Sequence, residues 1–156
     1  MKLNLPKLTF SILVSLSAGG IGSFFTASSI PTWYSTLNKP FFNPPNWIFA
    51  PVWTTLYVLM GISLYLILVT KTKKNKTIPI SIFATQLVLN TLWSILFFGL
   101  KSPLIALIEI ILLWITILFT IKQFNQISPI SSYLLYPYLA WVSFASLLNL
   151  AIFLLN

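Results

Sequence analysis

The sequence predicts an all-α integral membrane protein, a bundle of five transmembrane helices, and three observations carry that prediction. Of 156 residues, 58% are hydrophobic and only 6% charged, with a mean hydropathy of +0.94; soluble domains are ~45–50% apolar and ~25% charged. The charges, nine lysines and the single acid Glu109, fall almost entirely between long uncharged runs. Those runs are continuous, which suits spanning helices and not the alternating strands of a barrel.

Each run is long enough, since a helix needs ~20 apolar residues to cross ~30 Å of hydrocarbon. Residues 8–30 follow Lys2 and Lys7 and form the first span. This run exceeds the ~7–15-residue apolar core of a signal peptide, so it is read as a retained span. It also carries Ser15, Gly19, Ser23 and Ala27 at four-residue spacing. Such a small-residue face lets helices approach closely in lipid, and the partner can be a helix of the same chain or of a second. The remaining spans are residues 46–70, 77–100, 102–121 and 131–155, the fourth interrupted only by Glu109. Residues 31–45 are the one long connection, a lid stiffened by Pro40, Pro44 and Pro45. Pro44-Pro45 stands where a helix can begin without losing hydrogen bonds. Pro51, inside the second span, is expected to kink it or free a carbonyl.

Composition also excludes chemistry. The chain has neither Cys nor His, so no disulfide, thiolate nucleophile, zinc site or imidazole base is available. One carboxylate excludes a catalytic acid pair. No metal site and no obligatory cofactor are expected. The lysines are asymmetric: Lys2, Lys7, Lys71, Lys73, Lys74, Lys76 and Lys122 fall on the N-terminal side of the bundle, against Lys39 and Lys101 on the other. The positive-inside rule then puts the N-terminus in the cytoplasm of a bacterial cell. The cluster at 71–76 is read as an orientation signal in contact with anionic lipid, not as a nucleic-acid surface.

The segment Trp33-Tyr34-Ser35-Thr36-Leu37-Asn38-Lys39-Pro40-Phe41-Phe42-Asn43-Pro44-Pro45, followed by Pro51-Val52-Trp53-Thr54-Thr55-Leu56-Tyr57 and Met60-Gly61, resembles the TspO/MBR family of translocator and tryptophan-rich sensory proteins. Two further blocks agree: Leu89-Asn90-Thr91-Leu92-Trp93 with Phe97-Phe98-Gly99, and Leu134-Leu135-Tyr136-Pro137-Tyr138-Leu139-Ala140-Trp141 with Phe144 and Leu148-Asn149. The resemblance implies five transmembrane helices and a homodimer. It also implies binding of porphyrins, sterols or flat drug-like ligands. One departure is plain: residues 150–156 lack the Tyr-plus-basic pattern that animal members use for cholesterol.

Depth arithmetic locates a candidate site. At ~1.5 Å per residue, Trp53 and Tyr57 lie about 9 and 15 Å inside the second span. Phe97, Trp93 and Asn90 lie about 5, 10 and 15 Å inside the third, and Asn149, Ala145 and Trp141 about 10, 15 and 20 Å inside the fifth. Trp53 with Tyr57, Asn90 with Trp93 and Phe97, and Tyr138 with Trp141, Ala145 and Asn149 each follow one helix face. Alone, such stripes are more often packing than pocket; the family resemblance tips Trp53, Trp93 and Trp141 toward a pocket. The expectation is an apolar cavity beneath the 31–45 lid, with Trp33 and Tyr34 at its rim. Its aromatic walls would stack on a tetrapyrrole or another flat hydrophobic molecule, and Asn90 and Asn149 would supply hydrogen bonds. Without His or Cys, only Tyr side chains or Met60 remain as axial ligands, so the site is expected to prefer the metal-free macrocycle or to hold haem by stacking and apolar contact. A porphyrin could be ligand or substrate: Trp53 and Trp141 are the candidates for light- and oxygen-dependent breakdown, the alternative to a receptor or carrier; a third reading is a structural dimeric partner protein that uses the Gly19 face. Trp114 is read as an interfacial-belt residue; Glu109, about 10 Å inside its span, is a functional candidate as any intramembrane acid is, against a structural reading in which it bonds a neighbouring helix or sits protonated.

Overall fold

The computed structural model describes residues 3–156; Met1 and the predicted topology lysine Lys2 lie outside them. Six α-helices follow: α1 (Leu5–Ser29), α2 (Asn46–Val69), α3 (Thr77–Ser94), α4 (Pro103–Asn125), α5 (Pro129–Tyr133) and α6 (Tyr136–Leu155). They give five stretches long and apolar enough to span a membrane, and this is a multi-pass membrane protein. Helix starts repeat one device, a polar cap followed by proline. Asn4 Oδ1 accepts the Lys7 N–H (3.1 Å), Ser102 Oγ that of Ile105 (3.4 Å) and Ser128 Oγ that of Ser131 (3.4 Å), with Pro6, Pro103 and Pro129 in the first turns. Proline costs nothing there because its missing N–H had no intrahelical partner. At the other end of α2, the Lys76 ammonium donates to the Thr70 and Leu68 carbonyls (2.7 and 3.3 Å). Burial and the nearby charge of Lys7 hold that ammonium below the usual lysine range.

Three spans differ from expectation at their ends. The first helix does not stop at residue 30: it continues as a π-helical stretch, Ile30–Tyr34, and a last turn to Thr36. A wider i→i+5 turn accommodates Pro31, which cannot fit the regular ladder. The lid is therefore residues 37–45, and Trp33 and Tyr34 hang from a helix end. The third span also finishes in a π-helical stretch, Ile95–Gly99; the tight turn after it is held by Lys101 at a positive φ of 53°. The fifth span is broken at Leu134-Leu135, with Pro137 opening α6.

Helix α1 packs on α2 and α3, α3 on α4, and α4 on α6. Side chains close the ring between α2 and α6, Phe49 on Trp141 (centroids 6.1 Å) and Trp53 on Tyr138 (6.2 Å). The core, with Met60, Ile67, Phe83, Leu113, Ile117 and Phe124 fully enclosed, fills the half nearer the lysine-rich end. There Gly61 admits α1: a Cβ on it would stand 2.6 Å from the Ile12 Cα. Interhelical hydrogen bonds replace water as partner for buried polar groups. Ser63 and Ser131 bond each other's carbonyls (2.8 and 2.7 Å), Thr91 bonds the Ala18 carbonyl (3.0 Å) and Ser29 that of Phe98 (2.9 Å). Trp114 is not a belt residue: its indole N–H donates to Ser143 Oγ at 2.8 Å, tying α4 to α6. Glu109 bonds no neighbour among the described residues: it is buried, and neither carboxyl oxygen has a partner there.

Candidate ligand chamber

In the other half of the bundle the helices enclose a cavity of about 500 Å³, within the range of small-molecule sites. Trp53 and Tyr57 of α2, Asn90, Trp93 and Phe97 of the third span, and Trp141, Ala145 and Asn149 of α6 all line it, with Tyr34 beside the lid. The three indoles thus meet on one space from three helices. Two of them are braced by near-parallel rings, Trp53 on Tyr57 (5.6 Å, 26°) and Trp93 on Phe97 (5.0 Å, 21°), an arrangement that fixes aromatic planes in the wall.

Two of the residues expected to bind ligand sit elsewhere. Trp33 backs Phe97 edge-on (5.5 Å) and does not line the cavity. Tyr138 is buried beneath the floor, and its hydroxyl accepts a hydrogen bond from Asn90 Nδ2 (3.0 Å). Pro40, Pro44 and Pro45 shape the lid without reaching the chamber; from that end the lining comes from Tyr34 and Asn46.

The small-residue face of α1 is not a uniform packing surface. Ser15 is buried, and Gly19 seats the Tyr57 ring so closely that a Cβ there would collide with its Cε2. Ser23 and Ala27 are exposed and line the chamber together with Leu16, Gly20, Thr26 and Ile30. This fourth wall was missed because a run of small side chains marks close packing and open space alike. Phe98 was missed too: the π turn brings it onto the chamber beside Phe97, and no 3.6-residue period predicts adjacent residues on one face.

The amides are committed to the protein. Asn90 Oδ1 accepts the Tyr57 hydroxyl. Asn149 Oδ1 accepts the Trp93 indole N–H (3.0 Å), and its Nδ2 donates to the Pro103 carbonyl (2.8 Å). They hold the aromatic walls in place more than they reach for a ligand. A buried free donor is the Trp141 indole N–H, which has no partner among the described residues. A buried donor left unpaired costs ~1–3 kcal/mol, so an acceptor atom on a bound molecule would relieve it. Above the chamber the lid is pinned. The Tyr34 hydroxyl donates to Asn43 Oδ1 (2.8 Å), and the Asn38 N–H and carbonyl bond the side chain of Asn156 (3.0 Å each).

Comparison with known proteins agrees with this architecture. The family model described as the TspO/MBR family matches residues 11–155. The chain is 51% identical to the "Tryptophan-rich protein TspO" of Archaeoglobus fulgidus over 99% of both chains. It is 40% identical to the "Translocator protein" of Bos taurus, covering 92% of this chain and 86% of that one. It is 36% identical to the "Tryptophan-rich sensory protein" of Cereibacter sphaeroides, covering 80% and 77% respectively.

Proposed function

This chain belongs to the TspO/MBR family, a membership that supports a membrane sensor or receptor role, and from that premise we propose that it binds a flat hydrophobic small molecule, a tetrapyrrole foremost, in the chamber. The observation that carries the reading is the convergence of Trp53, Trp93 and Trp141 on one apolar space. A macrocycle is a disc with polar atoms at its edge. Stacked indoles match its faces, and the unpartnered Trp141 N–H matches an edge acceptor. The names of the relatives, tryptophan-rich sensory protein and translocator protein, agree with a role in sensing or carrying.

The test is titration of protein in lipid nanodiscs with protoporphyrin IX, followed by tryptophan fluorescence. Quenching is expected to saturate, and Trp53→Ala or Trp141→Ala to weaken affinity tenfold or more, since stacking on one aromatic contributes ~0.5–1.5 kcal/mol beyond its apolar area. Unchanged affinity in both variants would remove these residues from the site. Haem is expected to bind no more tightly than the free base, because the sequence has no His or Cys to ligate iron.

A second reading, breakdown of bound porphyrin in light and dioxygen, draws on one arrangement. Trp53, which can lose one electron, stacks on Tyr57, whose hydroxyl is already hydrogen-bonded to Asn90. Illuminated samples would separate the readings. Pigment loss that requires Trp53 and Trp141 supports chemistry, and stable pigment supports binding alone.

A further inference from the structure

The chamber is closed on its aqueous side and open on its lipid side. At the capped end, Tyr34 is tied to Asn43, and Asn38 to both Asn156 and the Leu155 carbonyl (3.3 Å), while Phe42 rests edge-on against Phe144 (6.3 Å). The opposite condition holds between α1 and α2. Gly20, Ser23 and Ala27 on one helix and Asn46, Ala50 and Thr54 on the other all line the cavity and are all exposed. The contact of Gly61 with Ile12 sets the antiparallel register of the pair. Carried along the helices, that register brings Ser23 opposite Ala50 and Ala27 opposite Asn46. Ser23 and Ala50 are both small, as is Ala27 opposite Asn46, which leaves a gap in the wall just beyond the point where the Tyr57 ring wedges against Gly19. At ~1.5 Å per residue, Ala50 and Thr54 lie about 6 and 12 Å inside α2 from Asn46, so this line of residues runs from the interface at Asn46 into the hydrocarbon.

We propose that this gap is the mouth of the chamber and that the chamber is loaded sideways from the bilayer, so that its substrate class is flat amphiphiles already dissolved in the membrane. The inference rests on the binding reading above and adds to it the route and the class of molecule that can take it. The chemistry of the mouth agrees. The hydroxyls of Ser23, Thr26 and Thr54 are spent on carbonyls of their own helices (2.8, 3.1 and 2.9 Å), which leaves the passage apolar for most of its depth. Asn46, at the first turn of α2, makes no side-chain hydrogen bond among the described residues; it presents an amide where the rim nears the interface. An amphiphile would thus enter ring-first with its polar edge toward Asn46, and a strongly hydrated solute would have no path.

The chain has no native cysteine, which makes the test clean. Ser23→Cys with Ala50→Cys, bridged by a bis-methanethiosulfonate cross-linker that forms a reducible disulfide to each thiol and releases sulfinate, locks the mouth; Asn38→Cys with Asn156→Cys, oxidised, locks the lid. Both full-length variants go into phosphatidylcholine nanodiscs, and stopped-flow tryptophan quenching reports uptake of protoporphyrin IX. The mouth-locked protein is expected to bind at least tenfold more slowly, to release preloaded porphyrin more slowly by a similar factor, and to recover on reduction. The lid-locked protein is expected to stay within twofold of the unmodified rate. Fast exchange through a locked mouth, or slowing by the lid lock, would overturn the lateral route while leaving binding intact. Absence of quenching in the reduced proteins would instead bring down the binding reading, and this inference with it.

Discussion

At the scale of single residues, the glycines divide by what faces them. Gly61 meets backbone, with a Cβ there 2.6 Å from the Ile12 Cα, whereas around Gly20 nothing comes within 4 Å. Backbone cannot step aside as a side-chain tip can. Gly61→Ala is therefore expected to destabilise by about 1–3 kcal/mol, the usual cost of overpacking. Gly20→Ala should be neutral or stabilising by about 0.5–1 kcal/mol through helix propensity alone. Thermal denaturation of the two variants in one detergent would show them moving apart; equal melting temperatures would contradict the tight α1–α2 contact. Glu109 belongs to the same scale. Its carboxyl is buried with no partner for either oxygen, so removing the ionisable group deletes a cost without breaking a bond. Glu109→Gln should fold and melt at or above the parent temperature, and a clear loss of stability would show that the acid has a partner.

At the scale of elements, the lid depends on the far end of the chain. Asn156 holds Asn38 by two hydrogen bonds and is itself anchored by Nδ2 to the Ile152 carbonyl (2.8 Å). Asn156→Ala should release residues 37–43, seen as faster amide hydrogen exchange there with α2 and α3 unchanged; unaltered exchange would mean that Tyr34 and Asn43 suffice. The same scale shows what a sequence can declare. Spans were legible because hydrocarbon thickness imposes a length and lysines mark the gaps. The helix faces carrying Trp53, Asn90, Trp93, Trp141 and Asn149 were legible because α2, α3 and α6 keep a regular period over those residues. Where the period changes, legibility fails. The π turns at Ile30–Tyr34 and Ile95–Gly99 moved Trp33 off the site and Phe98 onto it. The stripe on α1 was ambiguous for another reason: the absence of a side chain records neither who fills the space nor whether it is filled. Hydrogen-bond partners were invisible as well, since nothing in the spacing tells that Asn149 serves Trp93 or that Trp114 serves Ser143.

At the scale of the whole molecule, the two ends of the bundle differ in charge. Among the described residues Lys39 and Lys101 flank the lid end, while Lys7, Lys71, Lys73, Lys74, Lys76 and Lys122 flank the other. Each lysine near an anionic leaflet is worth ~1 kcal/mol, and the difference of four is a strong bias even after screening. We expect the lid and chamber to face the outside of the cell and the lysine-rich loop the cytoplasm. Phe41, fully exposed at the lid tip, and Asn75, exposed in the loop before α3, are the places to ask. In intact cells a membrane-impermeant thiol reagent should label Phe41→Cys at once and Asn75→Cys only after permeabilisation; the reverse pattern would invert the molecule. The answer also bears on what reaches the chamber. The mouth between α1 and α2 opens within the lid-side half of the membrane, so with the expected orientation it samples ligands in the outer leaflet. Inverted, it would sample those made in the cytoplasm and dissolved in the inner one.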